Sequence, residues 1–65
     1  MKWEGDVEIR GATDKALLVE YEGEEFWIPK SQIDDDSEIY SSRQLGKTGT
    51  LVLPYWLAEE KGLAG

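Results

Sequence analysis

Apolar and polar residues alternate near the start of the chain and predict a first β-strand. Val7 and Ile9 alternate with charged residues at positions 6, 8 and 10. This period of two is typical of a strand that buries one face. Residues 12–15 hold small and polar residues between apolar runs and are expected to form a turn. The chain therefore begins as a half-buried strand followed by a reversal.

The segment 17–28 predicts a β-hairpin with a defined register. Two apolar runs, at 17–21 and 24–28, flank Glu22 and Gly23, and glycine supplies the positive φ angle that a two-residue turn requires. Residues directly opposite each other across this turn share a face. One face then carries Leu17, Val19, Phe26 and Ile28, and the other carries Leu18, Glu20, Glu25 and Trp27. The first, more apolar set is the expected core face.

The first hairpin is expected to supply residues to the same core face. A three-residue loop at 13–15 places Ile9 opposite Val19 and Val7 opposite Tyr21. A slip of one residue would turn a charged side chain inward, because side chains alternate between the faces. The sequence therefore predicts the three-residue loop.

Trp27 is expected on the outer side of the hairpin, paired across the strands with Leu18. Its neighbours Phe26 and Ile28 are both apolar, and three successive strand residues cannot all enter one core. Two interpretations are open. Either a C-terminal helix or a second subunit covers the Trp27–Leu18 pair, or the pair is a platform for a ligand or a partner protein.

The second half of the chain predicts two more strands. Pro29 ends the third strand, and a short 3₁₀ turn is expected after it. Residues 37–41 are predicted to form a fourth strand, with Ile39 directed inward and Tyr40 outward, and residues 50–53 a fifth.

A terminal helix is expected after the last strand. Pro54 suits its first position, Gly62 suits its C-terminal cap, and Leu63 can fold back onto Leu57 or Ala58. Together the elements predict a single, mainly β domain over residues 1–65. Its expected form is a small five-stranded barrel, SH3-like or OB-like, with a short C-terminal helix. The SH3-like form is preferred because the connection between the third and fourth strands is short.

Composition and charge limit the classes of partner. The chain has 65 residues, no cysteine, and fourteen acidic against seven basic residues, for a formal net charge of -7. This balance argues against general binding to nucleic acids or anionic membranes, which requires a basic footprint. The acidic surface either keeps the protein soluble or competes for a basic groove on another protein. No membrane span and no signal peptide are recognised, so we expect a cytoplasmic protein.

Few residues suggest catalytic or metal chemistry. The chain contains no histidine and no cysteine, which removes the commonest general base and the best nucleophile. The acidic run at 34–36, followed by Glu38, lacks the spacing of an EF-hand loop and is interpreted as a solvated loop. We therefore expect no enzyme activity, no cofactor and no metal site.

Residues 46–49, Gly-Lys-Thr-Gly, have a superficial likeness to the end of a P-loop. The first glycine of that motif is missing, and a strand follows where a P-loop needs a helix, so nucleotide hydrolysis is rejected. The loop still gathers cationic residues in an acidic chain. The candidate site for a small anionic ligand or a partner protein consists of Trp27, Lys30, Tyr40, Arg43 and Lys47, and the candidates for an oligomer interface are Leu18 and Trp56.

Three segments carry a resemblance to a known family. They are WIPKSQI at 27–33, SEIY at 37–40 and LVLPYWLAEEKGL at 51–63. The chain, from about residue 16 onward, resembles a family of small uncharacterised bacteriophage and prophage proteins. The resemblance transfers no catalytic residues. It implies a viral accessory protein in the cytoplasm of a bacterial host, and short phage proteins of this kind often inhibit host defence.

We accordingly expect a non-catalytic phage accessory protein, a homo-oligomer that inhibits a bacterial defence component stoichiometrically. It would either block a surface of a host defence protein or sequester a small nucleotide signal between subunits. Two alternatives stay open at this level. One is a replication accessory protein that stacks single-stranded nucleic acid on Trp27 and Tyr40, and the other is a structural component of the viral particle.

Overall fold

Four antiparallel strands and a C-terminal helix form the fold, in a computed structural model that describes residues 1–64. The strands are β1 (Lys2–Ala12), β2 (Ala16–Tyr21), β3 (Glu24–Pro29) and β4 (Thr48–Pro54), the helix is α1 (Tyr55–Lys61), and two 3₁₀ turns span Lys30–Gln32 and Ser42–Gln44. The order in the sheet is β3-β2-β1-β4. The mainly β class and the terminal helix that the sequence predicts are confirmed.

The β2–β3 hairpin has the predicted register. Leu18 lies opposite Trp27, and Val19 lies opposite Phe26. The two turn residues, Glu22 and Gly23, have φ angles of 50° and 86°. Positive φ at both positions is what a type I′ turn requires, so the turn chemistry read from the sequence accounts for the pairing.

The β1–β2 hairpin has the expected core pairing but a different register beside its turn. Ile9 lies opposite Val19 as predicted, but nearer the turn Ala12 lies opposite Leu17, one position away from the register of a three-residue loop. A β-bulge between Ile9 and Gly11 absorbs the difference, because a bulge sets two residues of one strand against one of its partner. The predicted register beside the turn is therefore wrong by one position, whereas residues 13–15 connect the two strands as predicted and the Ile9–Val19 core pairing is right.

The predicted fourth strand is absent from the structure. Residues 37–41 have no strand pairing, so the sheet is open and four-stranded, not the closed five-stranded barrel that the sequence predicts. The predicted side-chain directions are nevertheless right, since Ile39 is fully buried and Tyr40 is exposed.

Side chains replace this missing strand along the outer edge of β4. The hydroxyl of Ser37 accepts from the N–H of Val52 (2.8 Å) and donates to the carbonyl of the same residue (3.2 Å). The carboxylate of Glu38 accepts from the N–H of Thr50 (2.9 Å). Two side chains thus satisfy backbone groups that a paired strand would otherwise bond.

The core lies on one face of the sheet and is closed by α1. Buried side chains from all four strands meet residues of the helix and of the segments that flank it. The cluster consists of Val7, Ile9, Leu17, Val19, Ile28, Ile39, Leu51, Leu53, Leu57, Ala58 and Leu63. Phe26, which was predicted for this face, packs at its edge and is half-buried.

Helix α1 ends in a Schellman motif. Gly62 has a φ of 85°, the N–H of Leu63 donates to the carbonyl of Ala58 (2.8 Å), and the N–H of Gly62 donates to that of Glu59 (3.1 Å). Leu63 turns back into the core, as the sequence predicts. Pro54 closes β4 and precedes the helix, one position before its predicted place.

Trp3 and Tyr21 pack edge to face over the backbone of β1. Their ring centroids are 5.1 Å apart and the ring planes are inclined at 81°. Gly5 permits this arrangement, because a Cβ there would lie 2.7 Å from the Trp3 ring and 2.9 Å from the Tyr21 ring. Close approach of this kind is a recognised reason for glycine inside a strand.

Candidate binding surface

The face of the sheet opposite the core has a row of carboxylates. Glu8 on β1 lies opposite Glu20 on β2, and Glu20 lies opposite Glu25 on β3. Strand alternation places Glu4 and Asp6 on the same face of β1. We define the outer face as Glu4, Asp6, Glu8, Leu18, Glu20, Glu25 and Trp27.

Arg10, at the β-bulge of β1, supplies a cation to this row. Its Nε lies 3.6 Å from the Glu8 carboxylate and its Nη2 lies 3.8 Å from the Glu20 carboxylate. Like charges directly opposite each other destabilise a sheet, so the position of Arg10 between two carboxylates reduces their repulsion. Glu25 has no ion-pair or hydrogen-bond partner for its side chain within residues 1–64. The row is therefore partly neutralised at β1 and β2 and fully acidic at β3.

Trp27 lies beside the acidic row, and 46% of its surface is exposed. It pairs with Leu18, and the residue opposite Leu18 on β1 is Gly11. Because glycine has no side chain, β1 does not continue this apolar pair. Helix α1 directs its buried residues, Leu57 and Ala58, into the core on the other face. The helix therefore does not cover Trp27, and the tryptophan faces outward as the sequence predicts.

The loop that precedes β4 is held in one conformation by the side chain of Gln44. Its Oε1 accepts from the N–H groups of Tyr40 (2.8 Å) and Ser41 (2.9 Å). Its Nε2 donates to the carbonyl of Glu38 (2.7 Å). One amide thus satisfies three backbone groups, and the loop presents its exposed residues from a defined backbone.

The two glycines of the Gly-Lys-Thr-Gly stretch serve the fold. Gly46 has a φ of 84°, a left-handed conformation that favours glycine. A Cβ at Gly49 would lie 3.2 Å from side-chain carbons of Glu38 and Ile39. These packing and backbone requirements account for both glycines without a phosphate ligand.

The five predicted binding residues fall into two groups. Tyr40, Arg43 and Lys47 belong to one loop and are exposed, and neither cation of this loop forms an ion pair within residues 1–64. Trp27 lies on β3, and Lys30, which is half-buried, begins the 3₁₀ turn after it. No hydrogen bond or ion pair joins the two groups, and the described chain encloses no cavity between them.

The two candidates for an oligomer interface lie on different elements. Leu18 is half-buried on the outer face beside Trp27. Trp56 lies on α1 and is 57% exposed, whereas its neighbour Tyr55 is half-buried. One of the two aromatic residues at the start of the helix therefore packs against the protein and the other faces outward.

The acidic loop at 34–36 contacts the start of β1. The Nζ atom of Lys2 lies 2.8 Å from the Asp34 carboxylate and 4.0 Å from that of Asp36. The hydrogen bond from Lys2 lowers the pKa of Asp34, helped by the backbone N–H of Asp36, and the same hydrogen bond raises the pKa of Lys2. In the described part of the chain no three potential ligands are placed to hold a metal ion.

Two residues that shape these surfaces were missed by the sequence analysis. Arg10 was assigned only an outward position, although the glycine that follows it inside a strand is a recognised signal of a bulge. Gln44 was given no role, although Ser41 and Gln44 have the spacing of a capping box. Both signals are local and were available in the sequence.

Comparison of the chain with protein-family models, with curated proteins and with solved structures finds no match. Among residues 1–64, no helix is long and apolar enough to span a membrane.

Proposed function

We propose that this protein is a non-catalytic binding module that occupies a basic surface of another protein with its outer face. The observation that carries the proposal is the combination, on one sheet face, of the Glu8–Glu20–Glu25 row with the exposed Trp27. Complementary charge steers and orients a partner, and a tryptophan in the contact supplies a large share of the binding energy. A face of this kind competes with nucleic acid for a basic groove.

The biological setting we propose is a bacteriophage accessory protein in the cytoplasm of a bacterial host. The likeness of residues 27–33, 37–40 and 51–63 to a phage and prophage family supports this setting. In it, the protein inhibits a defence component by stoichiometric binding. The strand order β3-β2-β1-β4 supports an SH3-like arrangement of the sheet, with residues 37–41 in place of a fourth strand.

The first test is protection of an infecting phage in hosts that each carry one defence system. The outer face is altered by Trp27→Ala, or by Glu20→Gln combined with Glu25→Gln. The matched control combines Glu59→Gln with Glu60→Gln, which removes the same charge from exposed positions of α1. We expect plaque numbers to fall to the level without the protein for the outer-face variants and to stay at the parent level for the control.

The second test measures binding to the defence component that the first test identifies. Calorimetry at low and high salt is expected to show an affinity that falls with ionic strength, because exposed charges are screened. The nucleic acid bound by that component is expected to compete. Equal weakening by the outer-face variants and by the helix variant would contradict the proposal, since only total charge would then matter.

The exposed loop residues favour a second candidate, a homo-oligomer that sequesters a small nucleotide. Arg43 and Lys47 offer cations without an ion pair in the described chain, Tyr40 offers an aromatic ring, and Trp56 offers a surface for self-association. Light scattering and titration with cyclic and linear nucleotides test it. An oligomer that dissociates with Trp56→Ala, and binding heat that is lost with Arg43→Ala, would support it. A monomer that gives no heat would remove it.

A further inference from the structure

The two edges of the sheet differ in how their backbone groups are satisfied. At the β4 edge, residues 34–38 supply hydrogen-bond partners for the outward backbone groups of the strand. The N–H groups of Val52 and Thr50 donate to the side chains of Ser37 and Glu38, and the carbonyl of Val52 also accepts from the N–H of Asp34 (2.9 Å). This edge is therefore closed to any further strand.

At β3 the outward backbone groups are open within residues 1–64. In a hairpin with a two-residue turn, the pair next to the turn exchanges both hydrogen bonds. Glu24 and each second residue after it therefore bond to β2. The N–H and carbonyl groups of Glu25 and Trp27 then point away from the sheet, and no hydrogen bond in the described chain reaches them. Pro29 ends this row, because proline has no N–H to donate.

We propose that the open edge of β3 accepts an extended, basic segment of the partner protein as an additional strand. The proposal rests on the proposed function and specifies how the partner is held. An added strand would place alternate side chains beside Glu25 and Trp27 on the outer face, and the others beside Glu24 and Phe26. The matching chemistry is a strand with a basic residue beside each glutamate and an apolar residue beside each ring.

Charge decides between this occupant and a second copy of the chain. Glu22, Glu24 and Glu25 lie together at the β2–β3 turn and the start of β3, and each copy carries a net charge of -7. Two such edges would bring like charges together, which destabilises strand pairing. A basic strand makes attractive contacts with the same carboxylates.

Amide hydrogen exchange measured by NMR shows whether the outward N–H groups of β3 are hydrogen-bonded. In the free protein the amides of Glu25 and Trp27 are expected to exchange rapidly, whereas those of Phe26, Ile28 and Val52, which are bonded, are expected to be protected. Protection of Glu25 and Trp27 that is independent of protein concentration would show that the edge is already covered. Protection that rises with concentration would assign the edge to a second copy. Either result overturns the proposal.

The binding test uses a capped synthetic peptide, KVVKKVVK, which can set two lysines beside Glu24 and Glu25 and two valines beside Phe26 and Trp27, with EVVEEVVE as its charge-reversed counterpart. Glu25→Gln removes the carboxylate and keeps the outward N–H, whereas Glu25→Pro removes both and leaves the bonds to β2 intact. We expect the basic peptide to protect the Trp27 amide and the acidic one to leave it unprotected. Glu25→Pro is expected to bind the basic peptide about tenfold more weakly than Glu25→Gln, because the added strand loses one backbone hydrogen bond.

The outcomes distinguish strand addition at the β3 edge from binding to the outer face of the sheet. Equal binding of KVVKKVVK by Glu25→Pro and Glu25→Gln would overturn strand addition while leaving the acidic outer face as the binding surface. Binding without protection of the Trp27 amide in the parent protein would do the same, and this readout is independent of whether Glu25→Pro folds. Absence of any binding by the parent would overturn the inference, whereas the proposed function is decided by phage protection.

Discussion

Two neighbouring residues of β3 show how burial separates stability from recognition. Ile28 is fully buried in the core, whereas Trp27 is 46% exposed on the outer face. We predict that Ile28→Ala lowers the free energy of unfolding by about 2–5 kcal/mol, the range for a buried aliphatic truncation. Trp27→Ala is expected to lower it by less than about 1 kcal/mol, the size of a cross-strand contact. Urea unfolding followed by circular dichroism measures both. A larger loss for Trp27→Ala than for Ile28→Ala would contradict the assignment of the two faces.

The two glycines of β1 provide a second contrast at the residue scale. A Cβ at Gly5 would lie 2.7 Å from the Trp3 ring, whereas a Cβ at Gly11 would make ordinary contacts with Leu18 at 3.6 Å. We predict that Gly5→Ala displaces the ring, reduces the near-ultraviolet circular dichroism of the Trp3–Tyr21 pair and destabilises the fold by about 1–3 kcal/mol. Gly11→Ala is the control and should leave the spectrum unchanged. An unchanged spectrum for Gly5→Ala would show that the ring does not require the missing side chain.

At the scale of elements, the side chain of Ser37 makes hydrogen bonds to β4 that a paired strand would otherwise make. Ser37 is buried, and its hydroxyl bonds both backbone groups of Val52. Ser37→Ala would leave a buried N–H without its partner, so we predict a loss of about 1–3 kcal/mol in the free energy of unfolding. Faster exchange of the Val52 amide should accompany it. Ser31→Ala, at an exposed position with no side-chain hydrogen bond in the described chain, is the control. Equal stability of the two variants would contradict the role of Ser37.

The same elements show which parts of the fold could be predicted from the sequence. The β2–β3 register followed from Glu22 and Gly23, because a two-residue turn fixes every pair beyond it. Residues 37–41 could not be assigned correctly from alternation alone. Buried Ile39 and exposed Tyr40 alternate as in a strand, but the hydroxyl of Ser37 takes up the backbone groups of β4. Side-chain to backbone bonds across the fold are not visible in a local pattern.

The candidate site was predictable to the same degree. The outward position of Trp27 followed from the hairpin register. The carboxylate row was only partly foreseen, because it depends on the pairing of β1 with β2 and on the bulge at Arg10. The sequence predicts one candidate site that groups Tyr40 and Lys47 with Trp27, whereas the chain places them on separate elements. In each case the sequence does not show which residues distant along the chain lie close together in the fold.

At the scale of the whole molecule, a charged contact joins the start of the chain to the segment that covers β4. The Lys2–Asp34 hydrogen bond lowers the pKa of Asp34 from its ordinary 3.8 and raises the pKa of Lys2 from its ordinary 10.5. Because the pKa of Asp34 is lower in the folded protein, the contact adds stability at pH values above the ordinary carboxyl pKa. This stability is lost as the pH falls through the pKa of Asp34 in the folded protein. Because the pKa of Lys2 is higher in the folded protein, the contact also adds stability at pH values below the ordinary ammonium pKa. This stability is lost as the pH rises through the pKa of Lys2 in the folded protein. The contact therefore stabilises the fold across the whole range between these limits.

We predict that Lys2→Met lowers the melting temperature at neutral pH and that the difference from the parent shrinks in acid, once Asp34 is protonated, and again in strong alkali. Lys15→Met is the matched control, because Lys15 is exposed and forms no ion pair within residues 1–64. Thermal unfolding followed by circular dichroism across the pH range, at low and high salt, measures the effect. High salt should reduce it, since both partners are reached by solvent. A difference that persists unchanged in acid would mean that charge does not hold the 34–36 loop against β1.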